Sequence, residues 1–172
     1  APGGKSINAA LKMLEQGDCG RVIARDLSDY KVALIDENIK RLNITNIQTQ
    51  VYDALDCDES LINKADIVIA DLPCSGLGII GRKPDIKYNA SPEKLQSLVD
   101  LQRDILKVVS RYVKSGGVLM YSTCTINRAE NEDNADWICK ESGFTKDGEY
   151  HQLLPANNSG MDGFFVARLI KN

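Results

Sequence analysis

Two cysteines stand where a fold delivers chemistry most readily. The apolar run Ile67-Val68-Ile69 leads into Asp71-Leu72-Pro73-Cys74-Ser75-Gly76, an acid followed by a proline, a thiol and a small flexible pair. Further along, Met120-Tyr121-Ser122-Thr123-Cys124-Thr125 repeats the arrangement. Each stretch reads as a buried strand presenting a thiol at its carboxyl end. The chain has five cysteines, at 19, 57, 74, 124 and 139, with no Cys-x-x-Cys spacing. An odd count at wide spacing argues against a disulfide framework and against a zinc site. His151 is the single histidine, so it cannot complete a cysteine–histidine metal set. The thiols are expected to be free, in a reducing cytoplasm and without a metal. Cys19, Cys57 and Cys139 read as packing residues.

A second set of residues suggests a ligand. Ala1-Pro2-Gly3-Gly4-Lys5-Ser6 precedes a helical pattern. Glycines let a backbone approach a ligand closely, and a helix amino terminus offers unpaired N–H groups. The stretch ends in Gly-Lys-Ser but lacks the first glycine of a phosphate loop, so a nucleoside triphosphate fits poorly. Asp26 ends the next strand about 20 residues on, where an acid can accept both hydroxyls of a ribose. Asp53 and Asp71 end the two strands after that. Each acid alone reads equally well as a turn residue or a cap. Together they form an acidic edge that suits a ribose-bearing ligand with a positive sulfonium. The Gly-x-Gly-x-x-Gly fingerprint of nicotinamide binders is absent.

The elements that must hold these residues alternate between helix and strand. Ser6 to Gln16 places Ile7, Ala10, Leu11 and Leu14 on one helical face, with Gly17 to end it. Arg21 to Asp26 is a short strand. Ser28 caps a helix whose inner face carries Val32, Ile35, Ile39 and Leu42. Ile47 to Tyr52 and Ala65 to Ala70 are strands, the second of them buried. Residues 77 to 90 read as a loop. Ser91-Pro92 starts a long helix with Leu95, Leu98, Val99, Ile105, Leu106, Val109 and Val113 as its stripe, ended by Gly116-Gly117. Val118 to Thr123 is a strand, and Glu130 to Glu141 a helix with Ala135, Ile138 and Cys139 inward. Phe144 to Tyr150 and Phe164 to Ile170 form an antiparallel pair at the sheet edge. Such alternation predicts an α/β fold, a mainly parallel sheet with helices on both faces. Ligands bind outside the carboxyl ends of such strands, where both cysteines fall. A glycine loop ahead of a first helix ordinarily follows a strand. Because the sequence opens inside the loop, that first strand is expected to be missing.

Length and charge bound the class. A chain of 172 residues suits one domain with a sizeable core. No run is long and apolar enough to cross a membrane, and no membrane partner is expected. The net charge is −3, whereas a free-standing nucleic-acid binder is usually basic. Arg82, Lys83 and Lys87 make a local positive cluster that reads either as a solvated face or, with Tyr88, as an RNA contact.

These motifs resemble those of the Sun (Fmu) family of RNA cytosine-5 methyltransferases. The resemblance rests on the opening loop, on Asp71 to Gly76 and on Lys83-Pro84-Asp85-Ile86-Lys87. Tyr121 to Thr125, Glu130-Asn131-Glu132 and Asp162-Gly163-Phe164-Phe165 complete it, in the family's order. It implies a Rossmann-like, S-adenosylmethionine-dependent enzyme that methylates ribosomal RNA. On this resemblance Cys124 is the nucleophile and Cys74 the second cysteine, which assists product release. Asp26 binds the cofactor ribose, Asp53 lies by the adenine, and Asp71 contacts cofactor or base. Lys5 lies in the active site, and Ala1, Pro2, Gly3, Gly4 and Pro73 join the cofactor site. Carbon 5 of cytosine is a poor nucleophile, so a thiolate that adds to carbon 6 splits one hard step into easier ones. Arg128-Ala129 stands where the family often has a proline and a further acid. The expectation is one catalytic domain over 1–172, truncated at its amino terminus, with the family's RNA-binding part absent. Two rival readings remain. One is a Rossmann methyltransferase for transfer RNA, DNA or protein; the other is a non-catalytic RNA-binding or ribosome-assembly module.

Overall fold

Alternating apolar periodicities fold this chain into two compact units, Ala1–Asp56 and Cys57–Asn172. The computed structural model describes residues 3–155 and 160–172. The expected α/β order is present throughout.

In the first unit α1 (Gly4–Glu15) is followed by β1 (Val22–Asp26), α2 (Asp29–Leu42) and β2 (Ile47–Val51). The two strands pair in parallel, from Val22 opposite Ile47 to Asp26 opposite Val51. Both helices pack part of their apolar stripes onto this pair; Leu42, expected on the inner face of α2, is exposed at its end. Ile7, Ala10, Ala24, Ile35, Ile44 and Ile47 form the core. The Ser28 hydroxyl caps α2 by accepting the Lys31 N–H at 3.4 Å, and Asn43 ends it in the left-handed conformation at φ 51°. One expectation fails on α1. Leu11 and Leu14 are exposed although they share a helical face with buried Ile7 and Ala10.

The second unit opens with β3 (Ala65–Asp71). Next come the short α3 (Ile86–Asn89), the long α4 (Pro92–Val109), β4 (Val113–Thr123) and α5 (Glu132–Ser142). Three strands close the chain: β5 (Phe144–Lys146), β6 (His151–Leu153) and β7 (Phe164–Lys171). β3 pairs in parallel with β4, and β7 runs antiparallel to β4. Both β5 and β6 pair antiparallel with β7, so the antiparallel part is wider than the expected edge pair. One face of this sheet meets α4 and α5. Its core includes Leu106, Leu119, Tyr121, Ile138, Phe165 and Leu169.

Four sequence expectations are corrected here. β3 is not buried on both faces: Val68 and Ala70 pack on the core, while Ile67 is 60% and Ile69 43% exposed. Alternation along a strand sends those two side chains to the opposite face, and β3 ends its sheet path with β4 as its neighbour. Gly116-Gly117 does not end the long helix. A 3₁₀ turn at Ser110–Tyr112 does, and the glycines lie inside β4 where its register with β3 shifts. The 77–90 stretch is not all loop, since a 3₁₀ turn forms at Leu77–Ile79 and α3 follows. Residues 144–150 yield only a three-residue strand, with β6 as a separate strand after it.

Candidate active site

Parallel pairing brings the two cysteines together. Asp71 lies opposite Ser122 at the carboxyl ends of β3 and β4. The Ser122 hydroxyl donates to Asp71 Oδ1 at 2.8 Å, and the Leu72 N–H donates to the Ser122 carbonyl at 3.2 Å. Both chains then turn at the same end of the sheet, and Cys74 Sγ comes within 3.3 Å of Cys124 Sγ. The Leu77–Ile79 turn seats itself under Cys124: the Gly78 N–H donates to the Cys124 carbonyl at 3.1 Å, and Gly163 N–H donates to the Gly78 carbonyl at 2.7 Å.

The hydrogen bond with Cys124 pushes the Cys74 thiol well above its ordinary range, and burial and negative charge at Cys124 push it further. Cys74 therefore holds its proton.

A buried polar network ties the two turns. Glu130 is fully buried. Its carboxylate accepts the Ser75 N–H at 2.9 Å and the Ser75 hydroxyl at 2.6 Å. It also accepts Gln102 Nε2 and Asn127 Nδ2, each at 3.0 Å. Ser75 Oγ and Thr125 Oγ1 lie 2.8 Å apart. Gln102 Nε2 donates to the Pro73 carbonyl at 2.9 Å, and Asn134 Nδ2 donates to Gln102 Oε1 at 2.8 Å. The Tyr121 hydroxyl donates to the Glu130 carbonyl, and its ring meets Phe165 edge-on at 6.0 Å. Beside Cys74 and Ser75 a cavity of about 390 Å³ opens against Ile86, Ala90 and the Lys94–Leu98 stretch of α4. That volume lies within the range of small-molecule sites.

Sequence reasoning singled out Asp71, Pro73, Cys74 and Cys124, which share one end of the sheet. It missed Gln102, Asn134 and the work of Glu130. A signal existed: Gln102 is a polar residue on the inner face of α4, between Val99 and Ile105, and is fully buried.

The expected cofactor residues other than Asp71 and Pro73 belong to the first unit. Ala1 and Pro2 fall outside the described residues. Gly3 precedes α1 at φ 87°, and a Cβ there would meet Ile35 at 2.9 Å, so glycine is required. Gly4 and Lys5 occupy the exposed first turn of α1. Asp26 Oδ1 accepts the Ser28 N–H at 3.0 Å and lies 3.8 Å from Lys31 Nζ. Asp53 Oδ1 accepts the Leu55 N–H at 2.9 Å. Both acids thus serve local turns, at the shared carboxyl end of β1 and β2. Elsewhere, Tyr88 is 81% exposed with Lys87 Nζ 4.7 Å from its ring centre. Arg82 pairs with Asp162 at 3.2 Å.

Comparison with known proteins gives a consistent set of likenesses. The family model described as 16S rRNA methyltransferase RsmB/F matches residues 1–170. A probable ribosomal RNA small subunit methyltransferase B of Bacillus subtilis is 37% identical over 190 residues, covering 99% of this chain and 41% of that protein. The ribosomal RNA small subunit methyltransferase F of Aliivibrio fischeri is 32% identical, covering 100% of this chain and 39% of that protein. The chain thus spans about two fifths of the length of these relatives. The crystal structure of NSun6 from Pyrococcus horikoshii with SFG superposes with a TM-score of 0.81 at 27% identity, covering 99% of this chain and 46% of that one. The α/β fold is accordingly Rossmann-like.

Proposed function

Because the chain belongs to the RsmB/F family of 16S rRNA methyltransferases, we propose that it transfers a methyl group from S-adenosylmethionine to carbon 5 of a cytosine in ribosomal RNA. The observation that carries this reading is the 3.3 Å approach of Cys74 and Cys124 at neighbouring strand ends.

The first unit suits the cofactor in its chemistry. A tight glycine turn heads α1, and two carboxylates stand at the carboxyl ends of adjacent parallel strands, where ribose hydroxyls find acceptors. Within this unit Gly3, Gly4, Asp26 and Asp53 would hold the cofactor. S-adenosylmethionine bound there supplies an electrophilic sulfonium methyl. SFG, an analogue of that cofactor, accompanies the NSun6 structure.

In the second unit, Cys124 Sγ adds as a thiolate to carbon 6 of the cytosine. Electron density then moves to carbon 5, which becomes nucleophilic enough to take a methyl. Asp71, oriented by Ser122, holds the ring nitrogen or the exocyclic amine and stabilises the added state. Once carbon 5 is methylated, its proton passes to solvent and Cys124 departs as a thiolate with the bonding pair, which restores the aromatic ring. Cys74 keeps its proton beside the departing sulfur, an arrangement that favours release. The base must be single-stranded or flipped out of its stack to reach the thiol. With a net charge of −3, much of the grip on RNA is expected from other parts of the protein or the ribosomal particle.

The test is trapping. In the intact protein, Cys74→Ala should accumulate a protein–RNA adduct that survives denaturing electrophoresis. Cys124→Ala should abolish both adduct and 5-methylcytosine, read by bisulfite mapping. An adduct in the Cys124 variant would reverse the assignment. Unchanged bisulfite maps in both variants would favour a methyltransferase for another substrate or a non-catalytic module.

A further inference from the structure

We propose that Glu130 is a positioning residue that holds the Cys74 and Cys124 turns at reacting distance. A carboxylate in a core is costly unless its oxygens are satisfied. Here four uncharged donors converge on it, and their placement is specific. Two come from Ser75, the residue after Cys74. The third, Gln102 Nε2, also binds the carbonyl of Pro73, the residue before Cys74. Both peptide neighbours of Cys74 are therefore tied to one centre.

The other cysteine is tied through the same serine. Ser75 Oγ donates to Glu130 and so accepts from Thr125 Oγ1, which follows Cys124. Thr125 Oγ1 in turn accepts the Asn127 N–H at 3.2 Å, and Asn127 Nδ2 closes the ring on Glu130. Hydrogen bonds in such a chain polarise one another. The bonds Glu130 makes run to Ser75, Gln102 and Asn127, so it acts by fixing the backbone that carries the sulfurs. An amide in its place would set an N–H₂ group against donors.

The inference rests on the methyltransferase reading only for its kinetic arm. Its first readout is proximity. A diazenedicarboxamide oxidant converts the two thiols to a Cys74–Cys124 disulfide, taking both thiol hydrogens as it is reduced to the hydrazine. Peptide mapping measures the rate. The intact protein should close this bond readily. Glu130→Ala and Glu130→Gln should slow closure tenfold or more while keeping a cooperative thermal transition. Ser75→Ala, which leaves the backbone N–H on Glu130, should slow it several-fold and serves if the Glu130 variants do not fold. In methyl transfer, kcat should fall with KM for RNA nearly unchanged. Closure at the parental rate in folded Glu130→Gln or in Ser75→Ala overturns the proposal. Slowed closure in a protein that never methylates RNA would uphold the positioning role and sink the methyltransferase reading instead.

Discussion

The proton on Cys74 sets how the thiol pair responds to pH. An unfolded chain releases it near the ordinary thiol value of 9.0, and the folded protein holds it higher. The folded value is raised, so the stability it contributes is fully present below about 9 and is lost as pH rises further. Urea unfolding between pH 7 and 10 should show a lower midpoint at the alkaline end, and Cys74→Ala should flatten that fall. A slope identical in the two proteins would mean that Cys74 is not the titrating group. The raised Cys74 thiol also predicts that iodoacetamide at pH 8 modifies Cys74 slowly, as peptide mass spectrometry would read.

At the scale of elements, the Leu77–Ile79 turn is as constraining as the strands. A Cβ on Gly78 would lie 2.5 Å from the Gly163 carbonyl oxygen and 2.7 Å from that of Cys124. Both obstacles are backbone, so neither can rotate away. Gly78→Ala should cost about 1–3 kcal/mol by overpacking and push the turn off Cys124. Denaturant unfolding and the disulfide-closure rate check the two halves of that statement. Gly81, beside which a Cβ meets nothing, should tolerate alanine. The helices contribute differently. α4 brings Gln102 to the site on the same face that buries Val99, Ile105 and Leu106, so its apolar stripe fixes the depth of a polar contact.

Across the whole molecule, stability is concentrated where sheet and helices meet. Leu119 is fully buried among α4, α5 and β7 residues, and Leu119→Ala should cost about 2–5 kcal/mol. Leu14 is 43% exposed, and Leu14→Ala should change stability by under about 0.5 kcal/mol. Thermal denaturation of the two variants measures the contrast, and equal losses would contradict the burial pattern. Among the described residues, no helix is long and apolar enough to cross a membrane.

Local chemistry determined a good deal from sequence alone. Ser28 and Ser91 cap their helices because a hydroxyl ahead of an apolar stripe can satisfy an orphan N–H. The alternation of helix and strand implied parallel crossovers, and hence two thiols at one sheet end. Tertiary structure decided the rest. Ile67 and Ile69 look like core in sequence, yet their exposure depends on which neighbours β3 finds. Glu130, Gln102 and Ser75 are separated along the chain and meet only after β3, β4 and α4 have packed. A hydrogen-bond network is a property of distances in space, and residue spacing encodes it only through the fold. The 3.3 Å gap between Cys74 and Cys124 is the clearest case: sequence placed each thiol at a strand end, and the register of β3 on β4 made them a pair.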